Sequence, residues 1–226
     1  MKLAILFSGG KDSTLSLHRA VEKETVSCLI TIISKNKASF MFHTPNIDIT
    51  KLQAEALELP LIQRLTEGKP EEELKDLKEA IGEAADDFGI EGVVTGAIES
   101  VYQAERIQRI CHERDLWCFN PLWKRDQQDL LEEILERDFE VIISGVFAYP
   151  LDESWLGKTL DKSLVERLLR LGREYKISPS GEGGEIETTV LDAPLFRRKI
   201  RIQEASVQME KTSGTYVIRK AGFVQK

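Results

Sequence analysis

The sequence predicts an α/β protein: a doubly wound parallel sheet followed by a smaller α+β C-terminal domain. Short apolar runs at residues 2–7, 25–34 and 92–98 alternate with segments of helical periodicity. A Gly-Gly turn closes the first run, and after Trp123 the alternation gives way to a loop-rich stretch and two strand-like segments. A soft boundary near residue 122 divides the chain into 1–122 and 123–226.

Lys2–Phe7 reads as a buried strand, and Asp12–Glu22 carries Leu15, Leu17, Ala20 and Val21 at helical intervals. Thr25–Ser34 (TVSCLITIIS) is β-branched and apolar, the next parallel strand with that helix as crossover. Met41–Pro45 is a loop, Ile49–Leu59 a helix that Pro60 ends, and Pro-Leu-Ile a short strand. The acidic run Pro70–Phe88 reads as a helix with a solvated face. Gly92–Ile98 is a strand, Tyr102–Arg114 a helix, and Leu116–Leu122 a strand that Pro121 closes. In the second part, Gln127–Arg137 and Lys162–Tyr175 are helices, Phe139–Phe147 is a strand and Ser178–Ala193 is loop-rich. Lys199–Met209 and Gly214–Val224 form an antiparallel pair around Lys211–Gly214.

Composition excludes several classes. A formal net charge of -7 over 226 residues argues against a protein whose main work is gripping nucleic acid, which requires basic surface to displace phosphate counterions. Cys28, Cys111 and Cys118 have neither zinc-site spacing nor the even count of a disulfide framework, so they read as reduced core thiols. The apolar run that ends at Ser8 is too short for a secretory signal or a membrane span, and a cytoplasmic protein that makes no membrane contact is expected.

The chemistry begins at Ser8-Gly9-Gly10-Lys11-Asp12-Ser13. A glycine turn between strand and helix lets successive backbone N–H groups face one anion, and the helix start adds partial positive charge. The spacing is shorter than the G-x-x-x-x-G-K-[ST] phosphate loop and sets an acid directly after the lysine. SGGKDS resembles the pyrophosphate loop of the adenine-nucleotide α-hydrolase group, the N-type ATP pyrophosphatases. That resemblance implies cleavage of ATP between the α and β phosphates. It implies that Ser8, Gly9, Gly10 and Ser13 hold the departing pyrophosphate, that Lys11 offsets its charge, and that Asp12 places Mg2+ or orders the turn.

Two further clusters lie downstream. Thr95-Gly96 ends a strand, and the glycine allows a close backbone approach that would suit the adenosine side of ATP; a tight strand-to-helix turn is the alternative. Glu99, Tyr102, Gln103 and Arg106 follow, the arginine placed to reach a phosphate or carboxylate, or to form an exposed ion pair. His43, in MFHTPN, is a candidate nucleotide contact or a polar surface residue. Gly181-Glu-Gly-Gly-Glu-Ile-Glu-Thr188 puts Glu182, Glu185 and Glu187 on a glycine frame, where they repel one another unless a cation, an amine or basic side chains meet them. A solvated acidic loop is the alternative.

Taken in order, SGGKDS, MFHTPN, VTGAIES with YQAERI, NPLW, WLGKTLD and GEGGEIETTVLDAPLF resemble the diphthine ammonia ligase family along nearly the whole chain. The resemblance implies a HUP-type, Rossmann-like ATP-binding domain at 1–122 and a substrate-binding domain at 123–226. It also implies an ATP-dependent amidation of diphthine, borne by translation elongation factor 2, through an acyl-adenylate. Ammonium supplies the nitrogen, and AMP and pyrophosphate leave. Carried over by position, the ATP site is Ser8–Ser13 with His43 and Gly96, and the substrate side comprises Glu99, Tyr102, Gln103, Arg106, Gly183, Gly184 and Thr188. Lys11, Asp12, Glu182, Glu185 and Glu187 are the candidate catalytic groups, and a homo-oligomer is compatible with this reading. Ile186 stands where the family usually has tyrosine, so no hydroxyl role is expected there. Two alternatives are another N-type ATP pyrophosphatase, acting on a metabolite or tRNA, and a non-catalytic ATP-binding module.

Overall fold

The computed structural model describes residues 1–36 and 45–226, with the backbone alone at 70 and 71. The chain divides into two compact units, Met1–Ser8 with Asp12–Trp123, and Gly9–Lys11 with Lys124–Lys226. His43 and most of the loop expected at 41–45 lie outside the described residues.

The first unit is a five-stranded parallel sheet. Its strands are β1 (Lys2–Leu6), β2 (Thr25–Ser34), β3 (Leu61–Thr66), β4 (Gly92–Val94) and β5 (Trp117–Phe119), in the order β3-β2-β1-β4-β5. Its helices are α1 (Lys11–Val21), α2 (Thr50–Leu57), α3 (Pro70–Phe88) and α4 (Val101–His112). On one face Ala4, Ile30, Ile32 and Val93 pack with Leu77, Ile81 and Ala84 of α3 and Ile107 and Ile110 of α4. Leu3 and Ile5 point the other way along β1 and are buried too, so the sheet is covered on both faces, as an all-parallel sheet requires. The strand order reverses at β1, whose neighbours are β2 and β4. This is the switch point at which such sheets open a crevice beyond the carboxyl ends of their strands.

Three strands of this sheet differ from expectation by more than a terminal residue. β3 runs to Thr66 because its six residues pair with Leu29–Ser34. β4 stops at Val94, where the Thr95 hydroxyl turns to accept from Ala97 N at 3.1 Å. β5 stops at Phe119, just before Asn120 and Pro121, which has no N–H for a ladder. The charged face of α3 is solvated as expected, and Glu79 and Glu83, four residues apart, both hold Arg64 of β3.

The second unit has an antiparallel sheet of β6 (Glu140–Val146), β7 (Ile186–Asp192), β8 (Lys199–Glu210) and β9 (Ser213–Val224), in the order β7-β6-β9-β8, with helices α5 (Gln127–Glu136) and α6 (Lys162–Tyr175). The stretch expected to be loop-rich therefore contains a strand, and Glu187 and Thr188 lie on it. β-branched Thr-Thr-Val supplies that strand's pleated face, and β6 pairs with it from Glu140↔Asp192 to Val146↔Ile186. Arg125 and Arg137 both hold Glu133, nearly buried on α5. No helix among the described residues is long and apolar enough to cross a membrane.

The thiols are unpaired covalently. Burial pushes Cys28 up to about 12. Cys111 is raised by its hydrogen bond with Cys118 and then by burial, whereas that same bond, with help from Asn120 and against burial, lowers Cys118. Since the thiolate is the nucleophile, iodoacetamide at about pH 8 is expected to label native protein at Cys118, with Cys28 and Cys111 labelling only after unfolding. Peptide mass mapping that found Cys28 labelled as fast as Cys118 in folded protein would contradict this.

Candidate active site

The opening loop bridges β1 and α1. Phe7 N–H extends the parallel ladder by donating to Ile30 O at 2.8 Å, and Gly9 then turns the chain with φ of 78°. Within the first unit, Ser8 N–H donates to Ser13 Oγ at 3.3 Å, and the two hydroxyls stand 3.2 Å apart. The loop is thus closed on itself by its two serines. α1 begins at Lys11, with half-buried Asp12 in its first turn and Ser13 buried behind it, so the positive end of the helix meets the loop.

Gly96 explains how the ends of β1 and β4 come together. A Cβ built on it would lie 2.9 Å from Ser13 N and 3.1 Å from the Asp12 carbonyl carbon, both backbone atoms that cannot rotate away. The close approach expected of this glycine is therefore made to the start of α1. Thr95 fixes the segment: its N–H donates to Phe119 O at 2.9 Å and its hydroxyl to Asn120 Oδ1 at 2.5 Å.

The next cluster is set by helix α4. Ser100 caps it, accepting from Gln103 N–H at 3.4 Å. Arg106 folds back over its own helix, with its guanidinium carbon 3.4 Å from the Tyr102 ring centroid and Nη1 donating to Tyr102 O at 3.1 Å. The arginine is therefore held by an aromatic face and a carbonyl of its own helix. Tyr102 and Glu99 are exposed and Gln103 is half-buried.

Gly9 and Lys11 are grouped with the second unit, and their bonds show why. Val190 N–H of β7 donates to Gly9 O at 3.0 Å, Lys11 N–H donates to Thr188 Oγ1 at 3.2 Å, and Lys11 Nζ donates to Ser180 O at 2.5 Å. Lys11 is 3% exposed. Thr188, expected on the substrate side, is buried and serves this loop backbone.

The acidic segment does not gather its carboxylates around one cation. Among the described residues no group of three or more His, Cys, Asp or Glu side chains could hold a metal. Glu185 Oε1 accepts from Ser178 N–H at 2.8 Å, while its Oε2 is buried with no hydrogen-bond partner among the described residues. Glu182 anchors through its backbone, N–H to Ser178 Oγ at 2.9 Å, and Glu187 lies on β7 opposite Gly145. Gly181 needs to be glycine on two counts: φ of 80°, and a Cβ that would meet Ile186 Cγ1 at 2.5 Å. Ile186 itself is buried in the position that opens β7, and Gly183 and Gly184 are exposed. Sequence analysis assigns no role to the side chains of Gln127, Ser178 and Ser180, single polar residues that lie in a helix start and a loop-rich stretch.

Residues 1–117 match the family model described as the diphthamide synthase N-terminal domain, and residues 126–224 that of the diphthamide synthase C-terminal domain. The chain is 37% identical over 220 residues to the diphthine–ammonia ligase of Rattus norvegicus, covering 88% of this chain and 82% of that protein. It is 33% identical over 227 residues to the diphthine–ammonia ligase of Homo sapiens, covering 92% and 85%. A solved structure described as a predicted subunit of tRNA methyltransferase from Methanocaldococcus jannaschii aligns at 19% identity and a TM-score of 0.46, covering 86% of this chain and 98% of that one. That likeness is too low to bear on function.

The cradle at Gly96 yields a direct expectation. Gly96→Ala should destabilise the protein by about 1–3 kcal/mol through overpacking against the Asp12–Ser13 backbone, read as a lower midpoint in chemical denaturation. An unchanged midpoint would mean that the approach of the two segments is looser than described.

Proposed function

The chain belongs to the diphthamide synthase family, and we propose that it is an ATP-dependent carbon–nitrogen ligase that amidates diphthine on translation elongation factor 2 with ammonia, releasing AMP and pyrophosphate. On this reading residues 1–122 form the ATP-binding domain and 123–226 the substrate-binding domain, and the enzyme works in the cytoplasm on a protein, without direct contact to nucleic acid. The observation that carries the reading is the glycine turn between β1 and α1, closed by Ser8 and Ser13 at the switch point of the sheet, with Gly96 packed against the Asp12–Ser13 backbone.

ATP supplies an electrophilic α-phosphorus, at which the diphthine carboxylate is converted to an acyl-adenylate before ammonia displaces AMP. Backbone groups and the hydroxyls of Ser8 and Ser13 would face the departing pyrophosphate, with the helix dipole of α1 favouring its charge. Lys11 holds the turn through Ser180 O and offsets phosphate charge. Mg2+ fits only in the mode in which a protein gives it one or two carboxylates and the phosphates complete its shell. Asp12, in the first turn of α1, is the residue that would hold it. The remaining contribution of the protein is positioning and charge stabilisation. Glu185, with one carboxylate oxygen fixed and the other unengaged, is suited to hold ammonium or take a proton from it.

Purified protein with ATP, Mg2+ and ammonium should release AMP and pyrophosphate only when diphthine-bearing elongation factor 2 is present, and the factor should lose about 1 Da as acid becomes amide. ADP as the product would remove the α,β-cleavage reading, and an unchanged factor would remove the substrate. Asp12→Ala should lower kcat/KM by about two orders of magnitude, as loss of one transition-state contact does; full turnover would exclude Asp12 from the site.

A further inference from the structure

We infer that Gln127 is a positioning residue for the Ser178–Glu185 turn and, through that turn, for the step that uses ammonium; this rests on the ligase reading above and deepens it. Gln127 is the first residue of α5, a helix already capped by Asp126, whose carboxylate accepts from Gln128 N–H at 2.8 Å and Asp129 N–H at 3.1 Å. Capping is therefore complete without Gln127, and its side chain reaches outward from a rigid element.

Its carboxamide oxygen accepts from Ser178 Oγ at 2.6 Å, Ser180 Oγ at 2.9 Å and Ser180 N–H at 3.1 Å. An amide oxygen offers two lone pairs, so three donors converging on it define the positions of both serines closely. Each serine then holds a candidate catalytic residue. Ser180 O accepts from Lys11 Nζ at 2.5 Å. Ser178 N–H donates to Glu185 Oε1 at 2.8 Å, and Ser178 Oγ accepts from Glu182 N–H at 2.9 Å. Lys11, Glu182 and Glu185 are thus each one hydrogen bond from a serine that Gln127 fixes. Ser180 is buried, so its bonds to Gln127 have no water to replace them if the oxygen is lost.

The chemistry asks only for an oxygen acceptor at that reach. Gln127→Leu keeps the approximate volume and removes the acceptor, whereas Gln127→Glu keeps it. With diphthine-bearing factor as substrate, Gln127→Leu is expected to reduce kcat/KM for ammonium by about 10- to 100-fold, the scale of a misplaced catalytic group, and kcat/KM for ATP by a smaller factor, through Lys11. Gln127→Glu should restore the ammonium parameters to within about threefold of wild type. A residue that only stabilised the fold would move both substrates' parameters together with the melting temperature. Wild-type ammonium dependence in Gln127→Leu, or a Gln127→Glu variant as impaired as Gln127→Leu, would overturn the inference. If Gln127→Leu is unfolded by circular dichroism, Ser178→Ala takes its place: a smaller shift in the same direction supports the inference, and none overturns it. Failure of the wild-type protein itself to form the amide would instead overturn the ligase reading.

Discussion

Gly96 has no side chain, and the first unit is built around that fact. The strand order β3-β2-β1-β4-β5 makes β1 the neighbour of β4, so the segments leaving their carboxyl ends run side by side. One of them must become helix α1 after only four residues, and the other must pass its first turn within contact of the Ser13 amide. Any Cβ at residue 96 would compete with that amide for space. Its absence brings the two backbones together at the start of the helix.

The second unit meets a different constraint, that of placing three carboxylates within six residues without mutual repulsion. Three local bonds or placements divide the problem. Glu185 turns one oxygen onto Ser178 N–H, Glu182 is fixed by its backbone, and Glu187 enters β7, where alternation sends it to the face opposite Thr188. No shared cation is needed, and among the described residues none could be caged by three such side chains. The glycines allow the turn to be tight enough for this: Gly181 at φ of 80° lies directly against Ile186.

Much of the architecture was legible because parallel strands buried on both faces leave unbroken apolar runs. Thr25–Ser34 has the bounds that its apolar run implies, and the helix Lys162–Tyr175 those that its helical period implies. β3 was underestimated because Gln63 and Arg64 interrupt its apolar character, while its length is set by its partner β2. β7 was missed because Gly181–Glu185 dominated the reading of a stretch whose second half, TTVL, is strand-like. In the candidate site, SGGKDS and the glycine at 96 were readable because backbone geometry leaves a compositional mark. The polar residues that hold the site together leave none: Gln127 lies 51 residues from the serine it binds most closely, and nothing in its local sequence distinguishes it from Gln128.

That difference bears on how the loop at residues 8–13 works. Ser8, Asp12 and Ser13 are grouped with the parallel sheet, whereas Gly9–Lys11 are grouped with the antiparallel one, through Val190 N–H, Thr188 Oγ1 and Ser180 O. A cradle closed only by its own serines would be free to adjust to whatever anion entered it. Within the second unit, Lys11 is tied to Ser180 and Ser180 to Gln127, so the position of the lysine depends on the same turn that carries Glu182 and Glu185. Anything that displaces the acidic turn must therefore break the Lys11–Ser180 bond or carry the lysine with it.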